Sequence, residues 1–346
     1  MRALIAGNMG YVGPAVVRVL REHHPDWELH GLDSALFAHC LLDQSLLPER
    51  LIDHQHFGDV RDIQSDFLRG FDAVVQLAAV SNDPMGREFE QATHSINRGS
   101  STTLAKAAAE AGVRNFVFAS SCSVYGVAQG PPRTEQDQVA PETAYAVSKV
   151  AAEEDLATLD TDMTITALRF ATACGASPRL RLDLVLNDFV AAALRNGRVV
   201  VLSDGTPWRP LIDVADMGRA IDWAMTRDPG NGGRMLVINT GANHQNYQVR
   251  DIAQAVADAL PGTEVSINSD APVDSRSYKV DFSLFEKLAP GHVPRVLLQD
   301  SIRQLIEAVR SARLDDGEAP DKLIRLKVLQ GHLEASRIDQ DLRWVA

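Results

Sequence analysis

Short apolar runs alternate with longer stretches of helical spacing through the first half of the chain. Runs at 3–6, 28–32, 73–77, 115–119 and 164–169 predict strands, while 12–22, 88–111 and 143–159, rich in Ala and Leu, predict helices. Segment 52–57 has weaker strand character, with His54 and His56 at period two. Strand and helix in turn predict an α/β fold, a doubly wound parallel sheet with helices on both faces.

The rhythm changes after Gly175. Helical patterns at 183–195, 213–226 and 249–260 are joined by short strands at 199–202 and 235–239, the second of which is expected to return to the main sheet. A polar, Asp-rich segment runs on to Asp281, and Gly317-Glu-Ala-Pro320 reads as a hinge before a charged helix from 321 to about 342. The expected organisation is a first domain at 1–172, rejoined by about 211–240, with 173–210 and 241–315 forming a smaller, interleaved second domain. Residues 316–346 form a C-terminal helical tail.

Composition narrows the function classes. The chain has 346 residues, of which 45% are hydrophobic, enough for a large core. A net charge of −12 argues against nucleic-acid and anionic-membrane partners, so an anionic ligand must be met by a few local arginines. Cys40, Cys122 and Cys174 form no CxxC, so neither a disulfide framework nor a metal site is expected. No apolar run reaches the length of a membrane span or a signal h-region, and the expectation is a cytoplasmic protein.

The first strand leads directly into Gly7-Asn-Met-Gly10-Tyr-Val-Gly13 and then a helix. In this Rossmann-type context Gly7 permits the tight turn, Gly10 admits a pyrophosphate, and Gly13 lets the helix pack on the strand. The phosphates then meet free N–H groups at the helix start, alongside Tyr11 and Val12. Asp33 ends the second strand, where its carboxylate would accept bonds from the adenosine ribose and repel a 2′-phosphate, which favours NAD over NADP. Asp59 and Val60, after the doubtful strand, are placed at the adenine edge.

Farther along stands Tyr145-Ala-Val-Ser-Lys149, with the phenol and the amine one helical turn apart. An adjacent ammonium favours phenolate and brings tyrosine toward the range of a general base. The strand at 115–119 runs into Ser120-Ser-Cys-Ser-Val-Tyr-Gly126, a hydroxyl-rich terminus at the carboxyl edge of the sheet, where such folds bind ligands.

These features, with Leu77-Ala-Ala79, Asn97 and Leu168-Arg-Phe, resemble the extended short-chain dehydrogenase/reductases, specifically their nucleotide-sugar epimerase/dehydratase branch, over roughly residues 1–310. The resemblance implies that Tyr145 is the base, that Lys149 binds the nicotinamide ribose and tunes Tyr145, and that Ser121 is the hydroxyl partner. It also implies that Leu77, Ala78, Ala79 and Ser120 line the dinucleotide, and that Asn97 bonds the backbone near the active-site helices. Sugar 4,6-dehydratases of this branch carry an Asp-Glu pair after the hydroxyl residue, whereas Cys122 and Ser123 stand here. Cys122 is the remaining candidate acid for an elimination. The branch's Arg-x-x-Asn reads Arg169-Phe-Ala-Thr172, which changes how a sugar would be held.

Substrate contacts are expected from Ser81, Asn82, Thr172, Arg181 and Asn187. Arg209 and Arg276 resemble positions that clasp a substrate diphosphate, a task suited to the planar guanidinium. The sequence thus points to hydride transfer at a sugar carbon, C4, as a 4-epimerase or sugar dehydrogenase/reductase. A dehydratase using Cys122 and a reductase of a non-sugar alcohol are the alternatives. The Ala-rich faces of 88–111 and 143–159 imply, by resemblance, a homodimer.

Overall fold

The computed structural model describes residues 1–43, 45, 47–128, 130–268, 277–314 and 320–345. Among these, the strands in chain order are β1 (Arg2–Ala6), β2 (Glu28–Asp33), β3 (His54–Phe57), β4 (Ala73–Gln76), β5 (Asn115–Ser121) and β6 (Thr164–Phe170). They continue with β7 (Thr172–Cys174), β8 (Arg198–Val201), β9 (Trp208–Asp213), β10 (Met235–Thr240), β11 (Asn246–Gln248) and β12 (Glu264–Ile267). Seven of them form one sheet in the order β10-β6-β5-β4-β1-β2-β3. Every pairing in it is parallel. β4 and β6 are buried along their whole length, as in a parallel sheet covered on both faces, and the polar side chains they carry, such as Arg169, are met by buried partners.

The Rossmann-type fold class read from the pattern is the observed one, and β10 takes an edge of the main sheet. A three-stranded sheet, β11-β9-β7, and a two-stranded one, β12-β8, stand beside it. The sequence pattern does not reveal β7, β9, β11 or β12, nor the helices Ser283–Leu288 and Leu298–Ser311.

Two predicted helices differ from the observed ones. The stretch 88–111 is interrupted: helix Asp83–Glu88 ends at Phe89, Glu90–Thr93 continues, and a π-helical turn at His94–Gly99 precedes Ser100–Glu110. Phe89 leaves helical geometry (φ −120°, ψ 52°) and is buried against Met85, Leu329 and Leu342. Packing makes this break, so no Gly or Pro announces it. The last helix is shorter than expected, Arg325–Glu334, because Ser336 turns into the left-handed region and the chain folds back through an Ile338–Trp344 bridge.

Candidate active site

The carboxyl ends of the central strands open into one cavity of about 940 Å³. Gly7, Gly10, Tyr11, Val12 and Gly13 line one end of it. Gly7 sits at φ +87°, and a Cβ there would come within 2.5 Å of the Ala78 amide. A Cβ on Gly10 would meet only the Gly7 carbonyl, at 3.3 Å, so this backbone lies open to a ligand. The helix Gly13–His23 begins at this end of the cavity, its first turn carrying Pro14, so the positive end of its dipole lies beside the glycine loop.

Asp33 also lines the cavity and accepts from the backbone N–H groups of Met9 (2.9 Å) and Ala35 (2.8 Å). Burial raises its carboxyl above the ordinary range, while these two N–H groups pull it back down. Asp59 and Val60 lie on the same wall, although the Asp59 carboxylate is engaged by the Arg61 side chain (2.9 Å). The N–H groups of Leu77 and Ala78 both reach the Ala6 carbonyl, at 2.8 and 3.1 Å, which turns Ala78 and Ala79 to the cavity beside Gly7. Open glycine backbone, a helix start and a carboxylate at the second strand end are a donor and acceptor set that fits a dinucleotide.

At the other end, Tyr145 stands near the start of helix Ala144–Ala157 and lines the cavity together with Ser121. Burial pushes the phenol up to about 12; the Ser121 hydroxyl and the Arg181 guanidinium lower it, and Asp83 and Tyr278 oppose them. Ser121 terminates β5 and accepts from the Ser123 hydroxyl at 2.9 Å. Lys149 is buried one turn after Tyr145, its Nζ 5.6 Å from the ring centroid, and it donates to the Ala119 carbonyl at 2.7 Å. Arg181 is thus a second cation near the phenol, beside Lys149.

Ser120 borders the cavity, but its hydroxyl points to Glu153 at 2.5 Å. Glu153 in turn holds Arg169 through contacts of 2.6–3.1 Å, and Arg169 donates to Tyr125, whose hydroxyl reaches Asn239 at 2.7 Å. This buried chain ties the helix bearing Tyr145 to β5, β6 and β10. Glu153 escaped the sequence reading, although a carboxylate four residues past Lys149 on an Ala-rich helix is a signal.

Three assigned residues do not reach the cavity. Asn97 is wholly buried and bonds the N–H and C=O of Val80 (2.8 and 2.9 Å) and the Ser148 hydroxyl, so it shapes the loop after β4 and does not touch a ligand. Asn187 is likewise buried, donating to the Tyr11 hydroxyl and the Arg181 carbonyl and accepting from the Gly175 N–H. Its place is behind the substrate wall. Cys122 has no exposed surface, its thiol donates to the Arg169 carbonyl at 3.0 Å, and burial pushes its pKa far up. A thiol so placed is a core side chain, not an acid for the substrate.

The remaining substrate candidates gather around Tyr145. Arg181 is buried in a two-pronged pair with Asp183 (2.9 Å each) and donates to Ser81 at 2.7 Å. Asn82 caps helix Asp83–Glu88 and donates to Asp183 at 2.7 Å. Thr172 lines the cavity, as does Tyr278, a residue the sequence reading did not assign to the site. Arg209 lies on the cavity wall, its guanidinium 5.9 Å from the Tyr278 ring centroid. Arg276 lies outside the described residues.

Among the described residues, one trio has metal-ligand spacing: Glu28, His30 and His54. It sits at the amino ends of β2 and β3, the edge of the sheet opposite the cavity. The Arg2 Nε is 3.2 Å from His30 and 3.4 Å from Glu28, so a guanidinium already supplies the cation there.

Residues 3–241 match the model of the NAD dependent epimerase/dehydratase family. The chain is 29% identical to the dTDP-glucose 4,6-dehydratase of Streptomyces griseus over 308 residues, covering 86% of this chain and 91% of that protein. It is 29% identical to the UDP-arabinose 4-epimerase 1 of Arabidopsis thaliana, over 77% of this chain and 68% of that one. A solved structure of MoeE5 in complex with UDP-glucose and NAD superposes with a TM-score of 0.74 at 27% identity, covering 90% of this chain and all of that one (100%).

Proposed function

Because this chain belongs to the NAD-dependent epimerase/dehydratase family, we propose that it acts on a nucleotide-diphosphate sugar, with hydride transfer at C4. Bound at the glycine end, NAD supplies a reversible hydride acceptor. Tyr145 removes the hydroxyl proton of the reacting carbon, and Ser121 holds that hydroxyl and shares its proton. Arg181, close enough to lower the phenol, stabilises the tyrosinate that does this work. Arg209 offers a guanidinium for the substrate diphosphate from the far wall.

The observation that carries this reading is the placing of Tyr145 and Ser121 on the wall of one cavity that also contains the dinucleotide loop. A 4-epimerase or a sugar dehydrogenase/reductase is favoured over a dehydratase. Cys122 is in the core, and Ser123 offers only a hydroxyl where that elimination uses carboxylates.

The enzyme is proposed to work in the cytoplasm as a homodimer, pairing the helices around Ser100–Glu110 and Ala144–Ala157 across a two-fold. Val147, 38% exposed on the second helix, supplies apolar surface for that contact. Sedimentation at micromolar concentration is expected to give a dimer; a monomer would remove this assignment. No described helix is long and apolar enough to cross a membrane.

The substrate test is an NMR screen of UDP-, dTDP-, GDP- and CDP-linked sugars against the free sugars. Turnover of a nucleotide-linked sugar alone is expected, and equal turnover of free sugar would overturn the reading. Denaturing the protein and assaying the released dinucleotide separates the variants. Retained NAD indicates a closed epimerase cycle, and freely exchanging cofactor a dehydrogenase or reductase.

A further inference from the structure

The C-terminal segment does not stand apart from the site. Arg325, Leu329 and Leu342 all line the cavity. Leu342 is buried in left-handed backbone (φ 59°), a conformation a bulky side chain holds only when packing enforces it. Around it, the tail is fastened to the two loops that follow β2 and β3. Trp344 donates to the Ser34 carbonyl at 2.6 Å, and His332 contacts that of Leu36 at 3.0 Å. Arg343 pairs with Asp62 at 2.7 Å, and Arg61 donates to the Asp341 carbonyl at 2.9 Å.

Arg325 has an unusual charge balance. It is 2% exposed, donates to the carbonyls of Lys322 (3.0 Å) and Arg179 (2.8 Å), and lies 5.1 Å from the Phe37 ring centroid. Neighbouring Arg179 is paired with Glu49, and Arg181 with Asp183. Among the described residues no carboxylate lies within ion-pair distance of Arg325. Two carbonyls partly offset the desolvation of a guanidinium, and an anion in the cavity would complete it.

We infer that the C-terminal segment 320–345 is the outer wall of the dinucleotide site, and that Arg325 is a cation for the dinucleotide's diphosphate. The cofactor is favoured over the substrate as the source of that anion by what surrounds Arg325. Phe37 is in the loop that follows Asp33, and the Arg179 turn is bonded to the glycine loop through Ser177 Oγ and the Tyr11 carbonyl (2.7 Å). The inference needs only the family's NAD, not the proposed sugar chemistry.

The test is equilibrium and stopped-flow binding to the full-length protein freed of cofactor. Probes are NADH, ADP-ribose, adenosine (which has no phosphate) and UDP. In Arg325→Gln, affinity for NADH and ADP-ribose should fall roughly 10- to 100-fold, the range of a lost charge-assisted bond, with adenosine and UDP nearly unchanged. Arg325→Lys should recover part of the loss. Equal weakening of adenosine would mean that Arg325 only supports the wall, and weakening of UDP alone would assign it to the substrate; either overturns the cation role. Should Arg325→Gln fail to fold, Arg343→Ala combined with Trp344→Ala tests the wall from its half-exposed side. Faster NADH release is expected, and an unchanged release rate would refute the wall.

Discussion

The Lys149 Nζ donates to the Ala119 carbonyl at 2.7 Å, with the Phe118 ring centroid 4.7 Å away. Buried between strand and helix, the amine is pushed down to about 7, and the Glu153 carboxylate only partly opposes the shift. It therefore changes charge near neutral pH at the wall of the dinucleotide site.

Stability of the cofactor-free protein should record this titration. Below about 7 both folded and unfolded chains carry the proton, and the penalty of the buried charge is fully present. Between there and the ordinary 10.5 the unfolded chain binds more protons, so unfolding free energy rises with pH. Relative to Lys149→Met, the unmodified protein should gain up to ~1.4 kcal/mol per pH unit in that window. Urea midpoints at several pH values measure this, and parallel curves for the two proteins would contradict the depressed pKa.

Tyr145→Phe should lower turnover by roughly 10²–10⁴-fold, the usual contribution of a general base, while NADH binding stays intact. The variant separates the two ends of the cavity, because Tyr145 stands on the wall with Ser121 and makes no bond to the glycine loop. Steady-state kinetics with a fluorescence titration of cofactor give both numbers. Near-normal turnover would remove Tyr145 from the chemistry.

Cys122→Ala is expected to leave kcat within about twofold and to lower stability by about 1–2 kcal/mol, the scale of a small core deletion. The thiol touches only buried partners. A large loss of kcat with an unchanged urea midpoint would return the thiol to the reaction.

Cofactor choice should respond to Asp33. Since its oxygens hold the Met9 and Ala35 N–H groups, Asp33→Ala would loosen the loop as well as remove the charge. Asp33→Asn with Ser34→Arg keeps an acceptor, and should improve the NADP-to-NAD affinity ratio by roughly tenfold or more. An unmodified enzyme that already prefers NADP in titration would show that Asp33 has no such role.

The sequence by itself determined what short-range physics encodes. Apolar periodicity placed β1, β2, β4, β5 and β6 within a residue or two of their observed ends, and the glycine spacing located the dinucleotide turn. Helical spacing put Tyr145 and Lys149 on one face. What tertiary structure decided was where individual side chains point once distant segments pack. Alternation along β5 sends neighbours to opposite sides: Ser121 meets Tyr145, while Ser120 turns to Glu153 and, in the following turn, Cys122 enters the core. That clue was present but could not be applied until the end of the strand was known. Asn187 and Asn97 kept their positions near the site but spend their hydrogen bonds on its scaffold. The break at Phe89, the early end of the last helix and the arrival of Arg325 at the cavity have no local signal. Each follows from burial against residues far away in the chain, an energy that no window of the sequence contains.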